Sequence, residues 1–277
     1  GWRRISGPGG RIIELATTDT KVYALTGEPG SSTLYALDVL GTNADWKPVT
    51  SDYKNIQSIY GAKDTLFACA MLDTSTFVTL YDKGGALQAL GGSGFLQGAV
   101  YLDPNYYLAG TGIYTLNGDA LTLVSDSELT VIGLIALKDI VVGVSRDGTI
   151  LYGNSDGFTQ AKETSVTFTG AIAAWKKDGE GTDAVLLLLG IQGGSTAATH
   201  GYREILLSNG NLVSTDLGLR TPGKAEPSSV SDYDKYYSSL GKHPVVNLYQ
   251  ASDGILFAGT TKNGLWSYRN DQWNAEP

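Results

Sequence analysis

Cysteine and histidine are scarce in this chain, and each scarcity excludes a class of chemistry. The single cysteine, Cys69, forbids an intrachain disulfide. It lies in the apolar run Leu66-Phe67-Ala68-Cys69-Ala70, the setting of a buried small hydrophobe rather than a reactive thiol. The only histidines are His200 and His243. Neither stands in a metal-ligand spacing, so no metal site and no cofactor is expected. Positive charge is also in deficit: Lys and Arg total 20 against 28 Asp and Glu, a net charge of −8. A field of that sign repels phosphate backbones and anionic lipid, which removes nucleic acid from the expected partners.

Long hydrophobic runs are missing too. The longest aliphatic stretch, Ala184 to Ile191, is eight residues and leads into a glycine-rich loop. That is too short to cross a bilayer, and no transmembrane segment is expected. Catalytic motifs are equally sparse. There is no Gly-x-Ser-x-Gly elbow, no phosphate loop and no dinucleotide fingerprint, and Gly110-Thr111-Gly112 reads as a turn. Asp178-Gly179-Glu180-Gly181-Thr182-Asp183 gathers carboxylates, but its spacing departs from a calcium-binding helix–loop–helix and reads as a solvated hairpin turn. The chain opens at Gly1-Trp2 and holds no Asn-x-Ser/Thr acceptor. Together these features give the expectation of an exported bacterial protein, extracytoplasmic and either periplasmic or surface-tethered.

What is present is a repeat. With 277 residues and 42% hydrophobic content, the chain can bury a sizeable core. Shifting its first segment by 44 residues aligns Trp2 with Trp46, Ile5 with Val49, Ile12 with Ile56, Leu15 with Ile59, Val22 with Leu66, Tyr23 with Phe67 and Ala24 with Ala68. The same internal spacing returns at Val131, Leu134 and Val141-Val142, and at Val246, Tyr249 and Leu256-Phe257. An aliphatic–aromatic pair follows in Leu34-Tyr35, Leu80-Tyr81, Ile113-Tyr114, Leu151-Tyr152 and Leu265-Trp266, with Ile205-Leu206 in the fifth copy.

Each unit is therefore three short apolar runs bounded by turn residues such as Lys83-Gly84-Gly85, Asp147-Gly148 and Asn263-Gly264. A fourth, more polar run follows at Asp45 to Val49, Leu121 to Val124 and Leu212 to Thr215, as an outer edge would require. Four antiparallel strands per repeat of about 40 residues, with no helices between, predict an all-β propeller. First strands near Ile12, Ile56, Gly98, Val131, Ala171 and Val246 predict six four-stranded antiparallel blades in one domain spanning residues 1–277; seven is the rival count.

Trp2 and Trp273 both stand where Trp46 stands in its unit, and the expectation is that Trp2 to Ser6 supplies the fourth strand of the last blade. The long interval between Ala171 and Val246 contains two insertions, near residues 191–201 and 220–243. The second carries Tyr233, Tyr236 and Tyr237, which do not repeat in register as Tyr35, Tyr81, Tyr114 and Tyr152 do. Tyrosine supplies rigid amphipathic contact area, so these three are the candidate binding residues. No catalytic residue is assigned.

Several segments resemble known repeats. Gly264-Leu265-Trp266-Ser267-Tyr268 with Trp273 resembles the repeat of bacterial two-component-regulator and photosystem-assembly-type propellers. Val22-Tyr23-Ala24-Leu25 and Leu34-Tyr35-Ala36-Leu37-Asp38 resemble the quinoprotein-type repeat. Ser145-Arg146-Asp147-Gly148-Thr149 resembles a degenerate sialidase Asp-box that lacks one spacer residue and the following tryptophan. These likenesses imply the propeller superfamily, a fold that hosts scaffolds, sensors and enzymes alike. The leading expectation is a monomeric, non-catalytic propeller that binds a protein or glycan partner. The alternative is a sialidase-like, glycan-active hydrolase with its site at the mouth of the central channel.

Overall fold

The computed structural model describes residues 6–28, 30–39, 45–82, 84–125, 129–162, 167–176, 185–192, 201–208, 211–215, 243–251, 253–269 and 272–277. The chain packs as two compact units, Gly1–Leu129 and Thr130–Pro277. Each unit holds three four-stranded antiparallel sheets in which strand order follows chain order.

In the first unit, sheet one is β1 (Ile12–Thr17), β2 (Lys21–Glu28), β3 (Ser31–Asp38) and β4 (Lys47–Pro48). Sheet two is β5 (Ile56–Ala62), β6 (Thr65–Met71), β7 (Phe77–Asp82) and β8 (Leu87–Ser93). Sheet three is β9 (Gly98–Leu102), β10 (Asn105–Gly110), β11 (Gly112–Asn117) and β12 (Ala120–Leu123).

In the second unit, sheet four is β13 (Val131–Leu137), β14 (Ile140–Ser145), β15 (Thr149–Asn154) and β16 (Gly157–Lys162). Sheet five is β17 (Phe168–Lys176), β18 (Val185–Ile191), β19 (Tyr202–Ser208) and β20 (Asn211–Thr215). Sheet six is β21 (Val245–Gln250), β22 (Leu256–Thr260), β23 (Leu265–Arg269) and β24 (Gln272–Ala275). Six sheets of four strands match the expected count, with first strands starting at Phe168 and Val245 beside the expected Ala171 and Val246.

The second strand of each sheet explains why its sequence is continuously apolar instead of alternating. Successive side chains on a strand point to opposite faces, so a run buried on both faces must be apolar throughout. Leu66 to Ala70 on β6 are completely buried. Leu66, Ala68 and Ala70 pack with Tyr23 and Leu25 of β2, whereas Phe67 and Cys69 pack with Leu96 and with Leu108 of β10. The second unit repeats the device. Val142 and Val144 of β14 meet Leu187 and Leu189 of β18, while Leu188 packs with Leu256 and Ala258 of β22. Each fully buried leucine or phenylalanine contributes about 1.5–3 kcal/mol.

The first strands carry a feature the repeat does not announce. β1, β5, β13, β17 and β21 each slip register near their start, at Ile12/Glu14, Ile56/Ser58, Val131/Gly133, Phe168/Ile172 and Val245/Asn247. Such bulges bend a strand and re-aim its side chains. Neighbouring first strands then approach so closely that Gly61 of β5 has no room for a Cβ, which would lie 1.8 Å from the Thr17 carbonyl oxygen of β1.

Sheet six corrects one expectation. Its fourth strand is β24, which pairs Trp273 with Tyr268 of β23, so the C-terminal segment and not Trp2 to Ser6 occupies that place. Trp273 is buried with its ring 5.4 Å from Tyr268 and 6.0 Å from Tyr202 of β19, a layer of aromatics between sheets five and six. Ser6 instead accepts a hydrogen bond at its carbonyl from Trp46 Nε1 at 2.8 Å in the first unit. Trp2 lies outside the described residues.

Candidate functional site

Hydrogen bonds from tyrosine hydroxyls to aspartates tie the three sheets of the first unit together. Tyr23 of β2 donates to Asp82 at 2.9 Å, linking sheets one and two. Tyr81 of β7 donates to Asp119 at 2.7 Å, linking sheets two and three. Tyr106 of β10 donates back to Asp64 in the β5–β6 turn. Burial first, and then Asp82, raise Tyr23 above the ordinary tyrosine range.

The two ends of sheets two and three differ in chemistry. At one end, residues 94–97 lead from β8 into β9, and β10 reverses into β11 through Thr111. Gln97 N donates to the Ala109 carbonyl at 2.9 Å, which seats the first loop against β10. The Tyr114 hydroxyl donates to the Thr111 carbonyl at 2.9 Å and steadies the second. Phe95 meets Phe77 edge-on, with ring centroids 5.0 Å apart. Between these parts lies a cavity of about 280 Å³ walled chiefly by Thr79, Phe95, Leu96, Leu108, Tyr114 and Leu121. Ala109, Thr111 and the glycines at 94 and 110 also line it, and among the described residues no charged side chain contributes.

Its chemistry follows from its walls. Leu96 and Leu108 are fully buried, while Thr111 stands exposed at the rim. Apolar walls with hydroxyl groups suit an uncharged, largely apolar guest whose edge accepts or donates a few hydrogen bonds. The volume falls just below the ~300–1,000 Å³ of drug-sized ligand sites, a size suited to a large side chain. Among the described residues, no carboxylate or imidazole lines it to serve as general acid or base.

At the opposite end, the β5–β6 and β9–β10 turns bring together Lys63, Asp64, Tyr101, Asp103 and Tyr106. Lys63 has φ of 51°, a left-handed conformation that closes its tight hairpin. Its ammonium stands 4.0 Å from the centroid of the Tyr101 ring. The Tyr101 hydroxyl donates to Asp103 at 2.6 Å, and Thr65 donates to Asp64 at 3.0 Å. Tyr106 packs edge-on between Tyr101 and Phe67, at centroid distances of 4.9 and 5.5 Å. The Tyr106 hydroxyl, then Thr65, hold the Asp64 carboxyl below its ordinary range. The Tyr101 hydroxyl first, then the negative charges of Asp103 and Asp64, raise the Lys63 ammonium above its ordinary value.

Tyr233, Tyr236 and Tyr237 lie outside the described residues, as do His200 and the carboxylates between Asp178 and Asp183. The cavity and the Lys63–Tyr101 cluster were not singled out by the sequence. The readable signal for the cluster was Tyr101-Leu102-Asp103-Pro104-Asn105-Tyr106, whose tyrosines fall out of register with Tyr35, Tyr81, Tyr114 and Tyr152. In the Asp-box-like segment, Asp147 accepts from Ser145 Oγ, from Thr149 N at 3.1 Å and from Lys162 Nζ at 2.9 Å. Ser145 first, then Lys162, draw its carboxyl far below the ordinary range. All three contacts stay within the β14–β15 turn and β16 of its own sheet, so this aspartate organises a turn.

Arg11 reaches Glu28 at 4.0 Å across the β1–β2 hairpin, and Arg269 pairs with Glu276 beside β24. Among the described residues, no group of three or more His, Cys, Asp or Glu is placed to hold a metal ion. Among them, too, no helix is long and apolar enough to cross a membrane.

Comparison with solved structures places the fold. YCF48 from Cyanidioschyzon merolae aligns over 100% of this chain and 88% of its own, with a TM-score of 0.57 and 14% identity. The WD40 domain of Toxoplasma gondii coronin aligns over 98% of this chain and 71% of its own, with a TM-score of 0.55 and 12% identity. The chain is a six-bladed β-propeller. A structure of YCF48 bound to D1 peptide is similar to this propeller over 96% of the chain and 80% of its own, with a TM-score of 0.57 and 12% identity. At such identities the likeness is one of fold. No protein-family model matches the propeller, and no curated protein matches it in sequence.

Proposed function

We propose that this propeller is a non-catalytic binding module, exported in a bacterium and extracytoplasmic, that recognises a protein partner by seating one large apolar side chain in the cavity of its first unit. The observation that carries the reading is the cavity itself: about 280 Å³, apolar-walled, hydroxyl-rimmed and, among the described residues, without a charged group. Such walls offer burial and orientation to an apolar side chain. The propeller neighbours named for bound polypeptide, YCF48 with D1 peptide and BBS1N with ARL6DN, support a scaffold role. The export reading rests on the sequence alone. Tyr233, Tyr236 and Tyr237 belong to the same proposal as a second contact on the partner.

Selection of a displayed random-peptide library on the purified chain tests it. Enriched peptides are expected to share a phenylalanine, tryptophan, leucine or methionine. Thr111→Trp, which fills the rim from an exposed position, is expected to weaken them about ten- to a hundred-fold, the equivalent of the ~1.5–3 kcal/mol from burying one such side chain. Enrichment without a shared apolar residue, or binding indifferent to Thr111→Trp, would sink the reading. Turnover of a glycoside panel by the same preparation would move the assignment to a glycan-active hydrolase.

A further inference from the structure

The Lys63–Tyr101 cluster has no part in the cavity, lies at the other end of the same two sheets, and presents a different chemistry. Its centre is an aromatic face already covered by a cation. The Lys63 ammonium stands 4.0 Å from the Tyr101 centroid, the range in which the negative face of a ring attracts positive charge. Two carboxylates flank it from separate turns: Asp103 at the β9–β10 turn and Asp64 at the β5–β6 turn. The rings are fixed rather than free. Tyr101 and Tyr106 are held by hydroxyl bonds to Asp103 and Asp64 and by edge contacts to each other and to buried Phe67. Lys63, by contrast, is an exposed side chain on a flexible four-carbon stem.

A rigid, acid-flanked aromatic face capped by a mobile ammonium of its own chain is a cation site with a built-in competitor. We propose that Tyr101, flanked by Asp64 and Asp103, binds a lysine or arginine side chain of a partner polypeptide, which displaces Lys63 from the ring. This rests on the reading of the chain as a protein-binding propeller, but it uses none of the residues that line the cavity. Charge complementarity favours that occupant twice over. The whole chain carries a net charge of −8, which draws basic segments, and the position over the ring already holds the chemistry it is assigned. Arginine gains most, because its planar guanidinium can stack on the ring while reaching a carboxylate.

The competitor makes the idea testable, because removing it should improve binding. The probe is a fluorescent basic decapeptide of alternating arginine and glycine, with a glutamine–glycine peptide as control, measured by anisotropy at low salt. Lys63→Met, a change at an exposed position, is expected to tighten the arginine peptide about two- to five-fold, the scale of an exposed cation–π contact. Part of any gain comes from removing a positive charge, so Lys63→Met is compared with Lys21→Met, which removes the same charge outside the cluster. Tyr101→Phe keeps the ring face and should retain most binding. Tyr101→Leu keeps every carboxylate and should lose it, with thermal melts confirming that each variant is folded.

Equal tightening by Lys63→Met and Lys21→Met would overturn the proposal, as would undiminished binding by folded Tyr101→Leu. Should Tyr101→Leu fail to fold, the Lys63→Met and Lys21→Met comparison decides alone. Thr111→Trp is expected to leave this peptide unaffected, so failure here and failure of the cavity reading are separable.

Discussion

The Tyr23 hydroxyl donates to Asp82 Oδ2 across the interface between sheets one and two, at 2.9 Å. The tyrosine comes from the apolar core of β2 and the aspartate from the end of β7, which also accepts from Gly85 N at 2.8 Å to shape its turn. One residue pair thus joins the packing of two blades to the geometry of a turn.

Tyr23→Phe keeps the ring in the core and removes only this bond. A hydrogen bond to a charged acceptor contributes about 1.5–3 kcal/mol, and the half-exposed Asp82 regains part of that from water, so a loss of about 1–2 kcal/mol is expected in urea unfolding. The variant also changes alkaline behaviour. Tyr23 in the fold stays protonated above the ordinary value of 10.0, held there first by burial and then by Asp82. The unfolded chain ionises at the lower pH, so wild-type stability is full below that value and declines as pH rises past it. Tyr23→Phe should decline less steeply; identical alkaline slopes would contradict the assignment.

Glu14 of β1 accepts a hydrogen bond from Ile59 N of β5 at 2.8 Å, next to the β5 bulge. Burial raises its carboxyl above the ordinary value of 4.5, and the Ile59 amide only partly offsets this. A raised folded value favours the protonated form in the fold. Its contribution is full below the ordinary value and is lost as pH climbs through the raised one. Glu14→Gln retains an acceptor for Ile59 and carries no charge. The variant should therefore gain on wild type as pH rises from 4 through mildly acidic values, then hold a constant advantage. Thermal melts at half-unit pH intervals measure the difference, and a gap that narrows with rising pH would refute the account.

Gly61→Ala tests the close approach of first strands. The added Cβ would meet the Thr17 carbonyl oxygen at 1.8 Å, a backbone atom that cannot swing aside. A loss of about 1–3 kcal/mol, the range for overpacking, is expected in urea unfolding. Gly7→Ala, where the new Cβ meets nothing within 4 Å, is the control and should stay within about 0.5 kcal/mol of wild type.

The blades were legible because their cause is periodic. A strand buried on both faces must be apolar at every position, so Val22-Tyr23-Ala24 and Leu66-Phe67-Ala68 announce the same place in two sheets. The choice between Trp2 and Trp273 for the last sheet was not legible, since both are apolar residues in equivalent local contexts. Packing against Tyr202 and Tyr268 distinguishes Trp273, and no local pattern encodes that. The cavity was hidden for a different reason. It is a gap among residues from β7, β10, β11, β12 and two loops, and each of those residues reads singly as ordinary core. Asp64 and Tyr106 meet across about one repeat length, so their pairing also needed the fold.

The most direct test of the central claim is a methyl-resolved NMR titration of the whole chain with the strongest peptide selected on it. The Leu96, Leu108 and Leu121 methyl signals are expected to shift and saturate together while Leu187, Leu188 and Leu189 of β18 stay in place, and Thr111→Trp is expected to abolish the response. Saturable binding that leaves Leu96, Leu108 and Leu121 unmoved would show that the partner docks elsewhere on the propeller.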